Sequence, residues 1–306
     1  MLTPRMRWQL ERARERVATF FSQLFKPERK PRLCFNCGLL VGADQDVCSN
    51  CGAKQGALSL SAFKRVGLAV IPAETPVTYA VLFVNILLFV VCWVASARVS
   101  EEPMLLTGNV NPNVMFLLGA KQGMLVLAGQ WWRLVMANFL HWDLMHIAFN
   151  SIALLQLGPQ VEEAYGSRRY LFLYLVTGIG GFVASTLWNQ MGLSAGASAS
   201  IFGLMGILIS RLKFGSGFAR DYRAQLIRWA IIGIVLGLFL PFDTAGHIGG
   251  LVSGLALGRI VSDRRPATPG AELRVKLMFW SAALVIVASV AMVALNLPAT
   301  RAWLSR

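Results

Sequence analysis

An all-α, polytopic membrane bundle preceded by a small four-cysteine zinc ribbon is the fold that this 306-residue sequence predicts. Three observations carry the prediction. Hydrophobic residues make up 56% of the chain and charged ones only 14%, with a mean hydropathy of +0.57, a composition suited to lipid rather than water. Charge is missing from whole blocks: Glu74 alone interrupts the stretch between Arg65 and Arg98, and nothing ionic lies between Arg169 and Arg211 or between Lys276 and Arg301. Uncharged apolar runs of about 18 to 25 residues read as transmembrane helices. The third observation is a pair of CxxC motifs close to the N-terminus.

Residues 1–30 place Trp8, Leu10, Val17, Phe20, Phe21, Leu24 and Phe25 among many arginines. That spacing fits a basic amphipathic helix lying on an anionic inner leaflet, and equally a solvated helix. With no apolar h-region there, no cleavable signal peptide is expected. Residues 31–56 form the ribbon. Cys34, Cys37, Cys48 and Cys51 read C-F-N-C-G and C-S-N-C-G, with ten residues between Cys37 and Cys48. Two such hairpins converge as four thiolates around a structural Zn²⁺, and the glycine after each second cysteine lets the backbone turn around the metal. A disulfide framework is disfavoured on the reducing side of a membrane. Cys92, in mid-span, is a packing residue.

A linker, residues 57–76, leads into seven spans: 77–97, 134–157, 170–190, 198–210, 226–240, 246–260 and 277–297. The runs that open near Ser198 and His247 are short. They read as helices beginning inside the membrane, where protein or a watery cavity must satisfy the broken backbone. The connection 98–132 carries Met104, Leu105, Met115, Phe116, Leu117 and Trp131 and reads as half immersed at the outer face.

The net charge of +14 is explained by topology rather than nucleic acid. With the N-terminus inside, 12 Lys/Arg precede the first span, two follow span two, five lie between Arg211 and Arg228 and five between Arg259 and Lys276. Only Arg98, Lys121, Arg133, Arg301 and Arg306 fall outside. This is the positive-inside asymmetry, and it sets the N-terminus in the cytoplasm and the C-terminus outside. An integral protein of a cell (inner) membrane is expected, with the lipid bilayer as a partner and no nucleic acid.

The chain has three histidines, His141, His146 and His247, and all are read at or within spans. An ionisable group in the bilayer is a functional hypothesis by default. Spans two, four and six run outside to inside. Asn150 lies 12 residues before Glu162, Ser198 lies 13 before Arg211, and His247 lies 12 before Arg259. At 1.5 Å per residue each sits about 18 Å above the inner boundary, roughly 10 Å below the outer edge of a ~30 Å core. Three polar groups on parallel helices thus share one level, with His146 one turn above Asn150 on the same face.

Ser198 follows the small segment G-L-S-A-G-A. At a helix N-terminus its hydroxyl sits beside unpaired N–H groups and the positive dipole end. A serine needs a neighbouring base to become a nucleophile, and His247 is the one histidine on another helix at its depth. Asp143 and Asp243 lie nearer the outer face, so a dyad is expected rather than a triad. Gly250, Gly254 and Gly258 recur every four residues, allowing spans four and six to approach. Phe202, one turn after Ser198, is placed to stack on the imidazole.

These residues resemble the rhomboid intramembrane proteases across about residues 77–265. Trp132-Arg133 followed by F-L-H-W-D-L-M-H-I-A-F-N is similar to that family's first-loop and second-helix signature. Glu162 or Glu163 with Tyr165, Gly166 and Tyr174 resembles the stretch leading into its third helix. G-A-S-A at 196–199 resembles its GxSG nucleophile motif, and A-G-H-I-G-G-L-V-S-G at 245–254 its sixth-helix histidine motif. The resemblance implies a six-helix core, with residues 266–306 adding a linker, a seventh helix and a tail.

It further implies Ser198 as nucleophile and His247 as general base and acid. His146, Asn150 and the Ser198 amide become oxyanion stabilisers, and His141, Gly196, Phe202, Gly250, Gly254, Trp132 and Arg133 become supporting residues. The implied reaction is hydrolysis of single-span membrane proteins near the outer face, through an acyl-enzyme and with no catalytic cofactor. Ala199 replaces the commoner glycine after the nucleophile, and Thr244 stands where asparagine is frequent. The ribbon lies outside the family pattern, and docking to a cytosolic partner, regulation and assembly are all open to it. Two rivals are weaker. A non-catalytic rhomboid-like module that binds transmembrane helices should have lost a member of the dyad, and a b-type haem site needs histidines facing each other on two helices.

Overall fold

The computed structural model describes residues 74–99, 108–212, 217–240 and 242–304, with short pieces between residues 32 and 52. The chain divides into two units, Met1–Gly67 and Leu68–Arg306. In the first, Arg32–Leu33 (β1) pairs antiparallel with Leu40–Val41 (β2). The four ribbon cysteines and the basic segment 1–30 lie outside the described residues.

The second unit is mostly helical. Pro76–Val99 (α1) leads to a layer of short pieces: Pro112–Leu117 (α2), Lys121–Gln122 (β3), Gly123–Leu127 (α3) and Arg133–Met136 (α4). Leu144–Tyr165 (α5), Ser167–Trp188 (α6), Leu193–Ser194 (β4), Ser198–Arg211 (α7), Phe218–Leu236 (α8), Thr244–Ile260 (α9) and Pro269–Leu304 (α10) follow. Among the described residues α1, α6 and Pro269–Pro298 of α10 are long and apolar enough to cross a membrane, and α7 is a shorter apolar helix.

The polarity is that of a bundle in lipid. Phe83, Phe149, Leu187, Trp280, Leu284 and Val287 face outward, while Thr78, Asn85, Ser96, Thr177 and Ser200 are buried. An exposed apolar belt around a core with polar members demands an apolar solvent. The chain is an integral multi-pass membrane protein.

Several helix bounds depart from the hydropathy reading. Hydropathy puts span two at 134–157, but α5 starts at Leu144: Asp143 is extended (φ −157°) and its side chain accepts from the His146 N–H at 2.8 Å, capping the helix there. His141 therefore lies in the turn before α5 rather than on it. Helices α8 and α10 start eight residues before their expected spans, because charge limits the membrane interval, not helix propagation, and Pro269 is well placed at a helix start.

Two buried ionic side chains set the frame. Glu162 of α5 accepts from the Val77 N–H (2.9 Å), the Thr78 N–H (2.7 Å), the Thr78 hydroxyl (2.7 Å) and the Ser167 hydroxyl (2.6 Å), so a carboxylate from α5 caps α1. Arg133 donates to the carbonyls of Phe116 (3.0 Å) and Ala120 (2.8 Å) and to Gln130 (2.7 Å), gathering the layer between α1 and α5. Trp132 beside it is buried, whereas Met124, Leu127 and Trp131 turn outward.

Helix α7 runs through the centre, with every residue from Ala199 to Ile209 buried. It packs on α5, α6, α8 and α9. The α7–α9 contact is backbone to backbone: a Cβ on Gly250 would overlap the Ala199 carbonyl, one on Gly254 the Gly203 carbonyl, and one on Gly258 would lie 3.0 Å from Ile207. Glycine at every fourth position of α9 thus meets every fourth residue of α7.

Candidate active site

The approach to α7 decides where its first side chain points. After Trp188 the chain turns back through β4, which pairs antiparallel with β3 in the register Lys121↔Ser194. It reaches Gly196 at φ +145°, a backbone conformation that favours glycine. The Gly196 N–H donates to the Ala137 carbonyl at 2.8 Å. A Cβ at Gly196 would stand 2.7 Å from His146 Nε2, so the missing side chain is what admits the imidazole.

Ser198 then opens α7. Among the described residues no side chain caps this helix, whereas Asp143 caps α5 and Asp243 caps α9 through the Gly246 N–H at 2.9 Å. Uncapped first-turn amides and the positive end of the dipole therefore stand beside the Ser198 hydroxyl. Across the α7–α9 contact, His247 Nε2 is 3.0 Å from Ser198 Oγ. Phe202 stacks on the imidazole with centroids 4.3 Å apart and planes 8° from parallel. Gly233 of α8 makes room for that ring, since a Cβ there would be 2.6 Å from Phe202 Cζ. Among the described residues no side chain accepts from His247 Nδ1, and no carboxylate joins the pair as a third member.

Helix α5 supplies the facing donors. His146 is half-buried against Gly196, and Asn150, one turn deeper, is 7% exposed. Its Nδ2 has no hydrogen-bond partner among the described residues. A buried donor without an acceptor costs about 1–3 kcal/mol, a cost removed by an incoming oxygen. His141 is fully buried, meets His146 edge-on at 5.2 Å between centroids, and turns Nε2 toward the Ala197 N–H at 3.5 Å. It braces the backbone just before Ser198. Cys92 is buried and free on α1.

Some residues gain a role at the site only from the structure. Asn138, fully buried, accepts from the Ser200 hydroxyl at 2.8 Å and holds the first turn of α7 from the far side. Asp243 accepts from the hydroxyls of Ser194 (2.6 Å) and Ser185. Lys121 donates to the carbonyls of Asn189 (2.8 Å), Ser185 (3.1 Å) and Gly192 (3.4 Å), binding the turn after α6. Burial lowers the Lys121 ammonium below its ordinary pKa, and the nearby Asp243 charge opposes that shift. The capping roles of Asp143 and Asp243 were legible as Asp ahead of a helical run. The pairing of Lys121 with Ser194 was not.

Comparison with known proteins follows the same residues. Residues 128–264 match the Rhomboid domain family model. This stretch is similar to rhomboid domains. It takes in α4 to α9, and so Trp132, Arg133, His146, Asn150, Ser198 and His247, while α1 and α10 lie beyond its ends. Similar curated proteins include Rhomboid protease GluP of Bacillus subtilis, 40% identical over 149 residues, 48% of this chain and 29% of that protein. RHOMBOID-like protein 5 of Arabidopsis thaliana is 34% identical over 172 residues, 54% of this chain and 55% of that one. Rhomboid-like protease 3 of Toxoplasma gondii is 31% identical over 152 residues, covering 48% and 58%. The matched region thus spans between 29% and 58% of these relatives' length.

Proposed function

We propose that the chain is an intramembrane serine endopeptidase that cleaves transmembrane proteins in or near their membrane segments. The observation that carries this reading is the 3.0 Å approach of Ser198 Oγ to His247 Nε2 at the uncapped start of a buried helix. A hydroxyl donating to an imidazole is the activated nucleophile of acyl transfer. Ser198 Oγ attacks the scissile carbonyl as its proton passes to His247 Nε2. The imidazolium then protonates the leaving amine, and an acyl-enzyme remains. Water, deprotonated by His247, attacks the ester, and Ser198 leaves with its proton restored.

The oxyanion formed at each addition takes hydrogen bonds from the Ser198 N–H, the Asn150 amide and the His146 ring N–H. The unpartnered Asn150 Nδ2 supports this assignment, since oxyanion donors act best when they wait unpaired in a site poor in water. With the N-terminus cytoplasmic, the site opens toward the outer face of a cell membrane. The four-cysteine ribbon holds a structural Zn²⁺ on the cytoplasmic side and serves to dock a cytosolic partner.

The test is fluorophosphonate labelling together with cleavage of a model single-span substrate, comparing the native chain with Ser198→Ala and His247→Ala. Both activities should vanish in each variant. Cleavage that persists in both removes the dyad.

A further inference from the structure

The dyad joins two elements that approach the outer face separately: the β4 turn ahead of Ser198 and the start of α9 ahead of His247. One side chain holds both. Asp243 Oδ1 accepts from the Gly246 N–H at 2.9 Å and its carbonyl accepts from the His247 N–H at 3.0 Å, so it fixes the first turn of α9. Its other oxygen, Oδ2, accepts from the Ser194 hydroxyl at 2.6 Å and from the Ser185 hydroxyl on α6. Ser194 is the last residue of β4, four before Ser198. Lys121 of β3, paired in register with Ser194, donates to the carbonyls of Ser185, Asn189 and Gly192 and so holds the turn after α6.

A carboxylate offers two oxygens, and this one links three elements where a serine cap would reach fewer partners. It makes no hydrogen bond to the imidazole, since among the described residues no side chain accepts from His247 Nδ1. We propose that Asp243 is a positioning residue that sets the separation of Ser198 and His247 by tethering β4 to the N-terminus of α9 through Ser194. This rests on the dyad reading above. The role differs from that of a triad carboxylate, which would act on the ring through its charge.

The test uses the full chain in detergent micelles, with the rate of fluorophosphonate labelling of Ser198 as readout and the thermal unfolding midpoint as a control. The variants are Asp243→Ala, Asp243→Asn, Ser194→Ala and the Ser194→Ala/Asp243→Ala pair. Misplacing a reacting group by about 1 Å costs on the order of a hundredfold. Asp243→Ala should therefore label about 10- to 100-fold slower, and Ser194→Ala several-fold slower. The pair should be no worse than Asp243→Ala to within about twofold, because both changes break one link. Asp243→Asn, which keeps an acceptor for the Gly246 N–H and a partner for Ser194, should recover most of the rate.

Native labelling by folded Ser194→Ala overturns the tether even where Asp243→Ala fails to fold. So do losses that multiply in the pair, or an Asp243→Asn as slow as Asp243→Ala, the signature of a charge acting on the ring. Labelling that survives His247→Ala refutes the dyad and the tether with it. Labelling that needs both dyad residues yet ignores Ser194 and Asp243 refutes the tether alone.

Discussion

Gly250→Ala adds one methyl where α9 lies on the backbone of α7. The new Cβ would overlap the Ala199 carbonyl oxygen and stand 2.9 Å from its carbon. The oxygen, at 2.1 Å, sets the shift: a carbon settles against a carbonyl oxygen at about 3.3–3.6 Å, so the helices must part by roughly 1.2–1.5 Å at this level. Neither side offers a flexible group to yield, since one partner is main chain and the other is the methyl itself. Gly250 is one turn below His247, and Ala199 follows Ser198, so nearly all of that separation reaches the dyad. The 3.0 Å contact of Ser198 Oγ with His247 Nε2 opens to roughly 4 Å, beyond hydrogen-bonding range. A displacement of this size is expected to slow chemistry on the order of a hundredfold, equivalent to about 2.7 kcal/mol in the barrier.

The assay is initial-rate cleavage of a single-span substrate in proteoliposomes, with fluorophosphonate labelling alongside. Gly270→Ala serves as the control, because a Cβ at Gly270 meets nothing within 4 Å. It should cleave like the native chain. A folded Gly250→Ala that cleaves and labels at the native rate refutes the argument that backbone contact between α7 and α9 sets the dyad distance.

Three other outcomes are expected. Asn150→Ala should lower kcat by about 10²–10³-fold, the usual loss of one oxyanion donor, while its unfolding midpoint stays level or rises, because the lost amide donor is buried without a partner; a midpoint that falls by many degrees would reassign Asn150 to structure. Glu162→Ala strips acceptors from the Val77 and Thr78 N–H groups and two hydroxyls, so it should destabilise the fold by about 2–4 kcal/mol. That loss should appear in thermal unfolding, with unchanged labelling per folded molecule. In metal analysis of the purified chain, one zinc per molecule is expected, lost in Cys34→Ser or Cys48→Ser with cleavage of the model substrate retained; absence of zinc from the reduced native chain removes the ribbon assignment.

Much of the site was legible because membrane sequences carry few polar residues in their apolar runs, and each one stands out. Ser198, His247, His146 and Asn150 could be picked by depth alone, since the distance to the first inner charge along a straight helix is a length. The placement of His141 on the second span's helix is what the structure corrects. Hydropathy cannot separate a buried turn from a helix, and the end of α5 depends on the Asp143 cap. Nor does it give helix starts, since α8 and α10 begin eight residues before the apolar runs that hydropathy marks.

Chemical type, level in the bilayer and the four-residue glycine rhythm of α9 are local properties of the chain, and the sequence by itself determined them. Distance between elements is not local. That Gly250 meets Ala199, that Gly233 makes room for the ring Phe202 lays on His247, and that Asp243 gathers Ser194 and Ser185 are relations among residues up to 58 positions apart. Only the tertiary structure decided them, because they arise from how the helices pack once their lipid-facing and core-facing sides have been sorted, and no stretch of sequence encodes that sum alone.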